Sequence, residues 1–144
     1  DDDHTPPEDC GGRALTFSPA ADATGCDYSF EDLGAAVSIV SAPTCGGCDS
    51  SSGPDGTLLA PGLARVDFRN VECRITRVEV DINDHLDPGR SRLAIVGTNG
   101  NNLVQAQNTT ANAVETVVLD GGTEQVGALS VEGCETELIE VRLY

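Results

Sequence analysis

The chain has 144 residues, with 24 acidic side chains set against 8 arginines and no lysine, for a net charge of −16 at pH 7. That balance excludes nucleic acid and disfavours anionic membrane surfaces, because both demand cationic groups to displace counterions from phosphates. The length suits one domain with one core, and with only 3 Phe, 2 Tyr and no Trp that core has to be built from Val, Ile, Leu and Ala.

No stretch approaches the roughly 18 apolar residues of a membrane helix, so membrane insertion is not expected. Asp1 is expected to follow a removed signal peptide, which places the protein outside the cell or on its surface. Residues 1–12 are acidic and carry Pro6 and Pro7. Adjacent prolines cannot donate to a ladder, so this segment reads as an extended arm tied down at Cys10. Its first ten residues span roughly 33 Å when extended, long enough to lie across a neighbouring subunit. Residues 13–144 read as one domain.

Strand candidates in the loop-rich part are Ala14–Phe17, Ala36–Ser41 and Thr57–Ala60, with Ala42–Gly56 a surface loop dense in Gly, Ser, Pro and Asp. More regular strands are expected at Gly62–Arg69, Arg74–Ile82, Arg92–Gly97, Leu103–Gln107, Val114–Leu119, Val126–Glu132 and Glu137–Leu143. Val78, Val80 and Ile82 share one face, opposite Arg77, Glu79 and Asp81. Near the end, Ile139, Val141 and Leu143 are expected to point inward, with Glu140 and Arg142 outward. Turns fall at Asp87-Pro88-Gly89, Asn99-Gly100-Asn101 and Asp120-Gly121-Gly122. Many short strands and no amphipathic helix predict an all-β fold, a β-sandwich or jelly roll.

Six cysteines, Cys10, Cys26, Cys45, Cys48, Cys73 and Cys134, predict a disulfide framework suited to an oxidising compartment. Each bridge typically contributes roughly 2–4 kcal/mol. The Cys45-Gly-Gly-Cys48 spacing also occurs in redox and zinc sites. A redox site needs a helix after the motif and zinc needs a second ligand pair, so a structural disulfide is the favoured reading. Cys73 and Cys134 each open a late strand after a turn, which suggests their pairing; Cys10–Cys26 and Cys45–Cys48 are then the simplest remainder.

Asp81, Asp84 and Asp87 concentrate oxygen ligands in one segment. It is not an EF-hand, since Leu86 and Arg92 occupy the positions that need Gly and Glu. A looser calcium-bound turn is weighed against an ordinary hairpin loop, which is favoured; structural calcium is the one cofactor in view. Asp1-Asp2-Asp3-His4 is a second cation candidate, expected to be solvated or set against a neighbour's arginines. Asn108-Thr109-Thr110 is an N-glycosylation sequon. No nucleophile elbow, zinc helix or phosphate loop is present, and carboxylates such as Glu135 and Glu137 read as exposed turn residues, so no enzyme is expected.

Five segments carry a resemblance: YSFEDL from Tyr28, GLARVDF from Gly62, ITRVEVDI from Ile75, LAIVGTNGNNLV from Leu93 and IEVRLY from Ile139. In this order they resemble secreted galactose-binding-like jelly-roll modules over Tyr28 to Tyr144. The resemblance implies the sandwich; members of that family variously bind sugars or structural calcium, or serve in adhesion and assembly. The leading functional expectation is an extracellular structural subunit that assembles with copies of itself into a filament or matrix. The donated strand would be Arg13–Phe17 or Glu137–Leu143. The alternative is a carbohydrate-binding module recognising a small glycan, with or without calcium. Against the alternative stands the shortage of Trp and Tyr faces on which pyranose rings stack.

Overall fold

In the computed structural model the described residues are 8–15, 27–41, 51–52, 58–60, 62–85 and 90–144. All regular structure among them is β: β1 (Arg13–Leu15), β2 (Asp27–Asp32), β3 (Ala35–Ser41), β4 (Ser51–Ser52), β5 (Leu58–Ala60), β6 (Gly62–Asp67), β7 (Arg77–Asp84), β8 (Arg92–Gly97), β9 (Asn102–Gln107), β10 (Val114–Asp120), β11 (Val126–Glu132) and β12 (Thr136–Leu143). They form two antiparallel sheets. The first runs β10-β7-β12-β5-β4, with β1 also on β12; the second runs β2-β3-β6-β11-β8-β9.

Alternation along the strands builds the interior. Val78, Val80 and Ile82 of β7 and Val117 and Leu119 of β10 project inward from the first sheet. Val37, Ile39, Val66, Leu93, Ile95, Leu129 and Val131 meet them from the second. Phe68 is the one aromatic in this cluster among the described residues, so the core is aliphatic, as the composition requires. Burying each such side chain contributes about 1.5–3 kcal/mol.

On β12 the expected phase is shifted. The pairing with β7 slips between Leu138 and Glu140, and this bulge places one extra residue in the strand. Leu138, Val141 and Leu143 are therefore buried, while Ile139 is not part of the inward set.

Turn chemistry alone did not reveal which strands pair. The Asn99–Asn101 turn does close a hairpin, since β8 pairs with β9. Asp120–Gly122 instead carries the chain from β10 in the first sheet to β11 in the second. The Asp81–Gly89 segment likewise leads from β7 to β8, strands of opposite sheets, and is no hairpin loop. A tight hairpin is found where none was expected, between β2 and β3. Its central residues, Leu33 and Gly34, have φ of 52° and 84°, the left-handed pair that a type I′ turn requires. A Cβ on Gly34 would sit 2.3 Å from the Asn70 carbonyl oxygen, so only glycine fits.

The disulfide pairing differs from expectation. Cys10 bonds Cys73, which overturns both Cys10–Cys26 and Cys73–Cys134. Cys134 is disulfide-bonded too; Cys26, Cys45 and Cys48 lie outside the described residues. The pairing follows from the path of residues 8–12, which dock on their own chain. The Cys10 amide donates to the Arg74 carbonyl at 3.1 Å, and the Arg74 amide to the Glu8 carbonyl at 2.9 Å. The Gly12 amide donates to the Leu143 carbonyl at 2.7 Å. Residues 1–7, including the Asp1–His4 cluster, lie outside the described residues. A bridge between positions 63 apart removes about 4 kcal/mol of loop-closure entropy from the unfolded chain.

Candidate functional site

Of the three predicted calcium ligands, the two that are described do not come together. Strand alternation puts Asp81 on the outer face of β7 and Asp84, 2% exposed, on the inner side. Asp87 lies outside the described residues. Two aspartates three positions apart on a strand face opposite ways, so this pair cannot share an ion. Among the described residues no group of three or more His, Cys, Asp or Glu side chains is arranged to hold a metal.

Asp84 belongs to a buried polar network between the sheets. Its Oδ2 accepts from Ser91 Oγ at 2.9 Å and from Asn108 Nδ2 at 3.1 Å. Ser91 Oγ also lies 2.7 Å from Thr136 Oγ1. Asn108 Oδ1 accepts from the Ser91 amide at 2.9 Å, and Nδ2 donates again to the Thr110 carbonyl at 2.8 Å. The sequon asparagine is thus 3% exposed, with both ends of its amide engaged, and offers no room for a glycan in the folded chain. Its role is to fasten the end of β9 to β7 and β8. Thr109 and Thr110 are held in turn by Glu115, whose carboxylate accepts from both amides and both hydroxyls at 2.8–3.1 Å. Desolvation is the largest single influence on Glu115 and acts upward, but these donors together outweigh it and hold the carboxyl below its ordinary range.

The outer face of the first sheet is a set of charges paired with one another. Arg142 Nη1 and Nη2 donate to Asp81 at 2.7 and 3.0 Å, and Nη1 also reaches Glu140 at 2.9 Å. Arg142 lies 3.5 Å from Glu79, which also pairs with Arg77 at 3.3 Å. Thr116 Oγ1 donates to Asp81 at 2.6 Å. The hydrogen bonds from Arg142, opposed by partial burial and helped by Thr116, hold the Asp81 carboxyl below its usual range. Asp81 and then Glu140 raise the already high pKa of Arg142. Arg77 stacks 4.2 Å over the Tyr144 ring, and His85 Nε2 lies 3.0 Å from Glu137.

The outer face of the second sheet is different. The strand registers lay its outward residues in rows. One row runs Leu63, Glu132, Arg92, Gln107; the next runs Ser38, Arg65, Ser130, Ala94, Gln105; a third runs Ala36, Asp67, Ala128, Val96. A depression of about 620 Å³ opens over the first two rows, with Leu63, Arg92, Gln105, Gln107 and Glu132 around a floor of Ala94 and Ser130. A smaller one of about 160 Å³ continues on the same face beside Arg65, Asp67, Arg69 and Gly127. A Cβ on Gly127 would come within 2.8 Å of the Gly97 carbonyl oxygen, so glycine lets the strands close up there.

Among the described residues nothing engages the side chains of Arg92, Gln105, Gln107 or Glu132, in contrast with the opposite face. None of these residues stood out in the sequence. The signal was the alternation in Gln105-Ala106-Gln107, two outward amides on one strand; only the pairing order of β6, β11, β8 and β9 gathers them with Arg92 and Glu132.

Strand exchange between copies is also answered by the topology. β12 is flanked by β7 on one side and by β5 and β1 on the other. Both segments expected to be donated are therefore occupied within the chain, β1 by β12 and β12 by three partners.

No family model matches the chain, and no curated protein sequence matches it. Solved structures do resemble it. A variant of a family 29 carbohydrate-binding module complexed with mannohexaose aligns with a TM-score of 0.51 and 7% identity, over 92% of this chain and 91% of that one. A second variant of that module aligns at 0.44 and 9% identity, over 92% and 91% of the two chains. An Arthrobacter globiformis isomalto-dextranase complexed with panose aligns at 0.41 and 13% identity, over 96% of this chain and 24% of that one. At these identities the first likeness establishes a shared β-sandwich of jelly-roll type, in agreement with the coarse resemblance in the sequence. The filament subunit expected from the sequence is overturned: the strands it would exchange are paired within the chain, and the sandwich is shared with a carbohydrate-binding module complexed with mannohexaose.

Proposed function

We propose that this chain is a non-catalytic carbohydrate-binding module of an exported protein, and that it binds glycan on the outer face of the second sheet. The observation that carries this reading is the trough of uncommitted polar side chains: Gln105, Gln107, Ser130, Arg92 and Glu132 around a floor of small residues. Sugar hydroxyls are donors and acceptors at once. The two amides and the Ser130 hydroxyl match them in both roles, while Glu132 accepts and Arg92 donates in a fixed fork. The low floor at Ala94 and Ser130 lets a pyranose ring approach the sheet. No aromatic side chain lines the trough among the described residues, so hydrogen bonding rather than stacking carries the affinity.

The likeness to carbohydrate-binding modules supports the same reading. Glycoside hydrolysis generally takes two facing carboxyl groups, and the larger depression presents one, Glu132; this favours binding over catalysis. The Cys10–Cys73 bridge suits an oxidising, extracellular setting.

The test is calorimetric titration of the intact chain with a panel of soluble oligosaccharides and polysaccharides. At least one is expected to bind, and Gln105→Ala with Gln107→Ala is expected to weaken it about tenfold or more, two hydrogen bonds being removed. Absence of binding across the panel, or binding indifferent to this double substitution, would refute the proposal.

A further inference from the structure

We infer that the glycan taken by this face carries carboxylates, as an acidic, uronate-containing chain does. The inference rests on the carbohydrate-binding reading above and names the ligand's charge. Its basis is a local reversal of sign. In a chain of net charge −16, the two depressions on this face are lined by three arginines, Arg65, Arg69 and Arg92, against two acids, Asp67 and Glu132. Asp67 is already taken up by Arg69, through an ion pair at 3.2 Å and the Arg69 amide at 2.9 Å. What remains is two guanidiniums, Arg65 and Arg92, without a partner among the described residues, and one free carboxylate, Glu132. On the opposite face Arg142 is shared among Asp81, Glu140 and Glu79, and Arg77 is paired with Glu79.

The placement of the two guanidiniums fits a chain with repeating acid groups. Arg65 stands opposite Ser130, and Glu132 opposite Arg92. Arg65 and Arg92 are therefore two strand spacings apart, about 9.6 Å, and one step of the pleat along the strands. Between them lie Ala94 and Ser130, small enough to let a sugar backbone pass. A guanidinium receives a carboxylate through two parallel hydrogen bonds, so two such forks hold successive acidic sugars and fix their register. The overall negative charge acts at longer range, where salt screens it beyond about 8 Å at physiological ionic strength. It slows the approach of an acidic chain without cancelling contacts made in the trough. Glu132, beside Arg92, accepts from sugar hydroxyls but repels the ligand's carboxylates, and against an acidic chain the repulsion outweighs the hydrogen bond.

The experiment is affinity electrophoresis and calorimetry of the intact chain with oligogalacturonate, a neutral mannan oligosaccharide and a sulfated glycan, at low and high sodium chloride. Oligogalacturonate is expected to bind about tenfold more tightly than the neutral sugar, and to lose affinity as salt rises. Arg92→Gln and Arg65→Gln should each weaken it by about tenfold, the loss of a charge-assisted bond. Glu132→Gln should tighten it, a gain that misfolding does not produce. Stronger binding of the neutral oligosaccharide, insensitive to salt and weakened by Glu132→Gln, overturns the inference and leaves the carbohydrate-binding reading standing. Preference for the sulfated glycan overturns the carboxylate assignment. No binding to any of the three overturns both.

Discussion

The two outer faces of this sandwich are made from the same kind of strand yet spend their polar side chains differently. On the first sheet Arg142 donates to Asp81 and Glu140, Arg77 pairs with Glu79, and Thr116 completes Asp81. On the second sheet Arg92, Gln105, Gln107 and Glu132 surround a depression of about 620 Å³ with no such partners among the described residues. Polar groups that satisfy one another contribute to folding; groups held on a rigid sheet but left to water are available to a ligand. The difference separates a face whose polar groups satisfy one another from the face proposed to bind glycan.

The largest effect should come from the junction that holds the proposed binding face in place. Asn108→Ala removes three side-chain hydrogen bonds from a buried site and frees the end of β9. We expect a loss of about 3 kcal/mol in urea unfolding, together with weakened glycan binding, since β9 carries Gln105 and Gln107. Stability lost without affinity would show that β9 is positioned by other means.

Arg142→Ala comes next. It leaves Asp81, Glu79 and Glu140 without their shared cation. With the Arg142 side chain 21% exposed, the cost is about 2 kcal/mol, and glycan affinity should not change. A change in affinity would erase the distinction between the faces.

Acid should act on this network and on the Glu115 cluster. Asp81 and Glu115 have folded-state pKa values below their ordinary ones. Their stabilisation is therefore complete above the unfolded carboxylate range and is lost as pH falls through the folded values, below about pH 4. Urea midpoints measured from pH 6 to pH 3 should fall at the acid end, and less steeply in Asp81→Asn. An unchanged slope in that variant would remove Asp81 from the account.

The smallest effect on stability belongs to the proposed binding face. Gln105→Ala, Gln107→Ala and Arg92→Ala alter exposed side chains with no partners and should each shift unfolding by no more than about 0.5 kcal/mol. Larger losses would mean that these residues support the fold.

Much of the fold was legible because period-two patterning is a local property. β8 and β11 have the expected limits, and β7 the expected alternation. What could not be read locally was pairing. The Asp120–Gly122 turn has the composition of a hairpin yet joins two sheets, whereas Leu33-Gly34 lacks the usual Asn-Gly signal and closes one. The bulge on β12 inverted the expected position of Ile139 because its insertion shows only against the partner strand. The Cys10–Cys73 bridge was missed because Cys73 was paired with Cys134 from their like places at the start of late strands, whereas the segment around Cys10 lies along Arg74.

The candidate site was less legible than the fold. Asp81 and Asp84 drew attention as clustered acids, but a strand turns them apart. Asn108 read as a modification signal and is an interior fastening. The residues of the trough come from four strands spread over Leu63 to Glu132, and their charges are unremarked along the chain; only the order β6-β11-β8-β9 makes them neighbours.

The central claim, that ligand binds the face with uncommitted side chains, is tested most directly by mapping amide shifts in nitrogen–proton correlation spectra while a bound oligosaccharide is titrated in. The account predicts shifts concentrated on β6, β8, β9 and β11, with the Gln105 and Gln107 side-chain amides among the largest. Shifts concentrated on β7, β10 and β12 would contradict it.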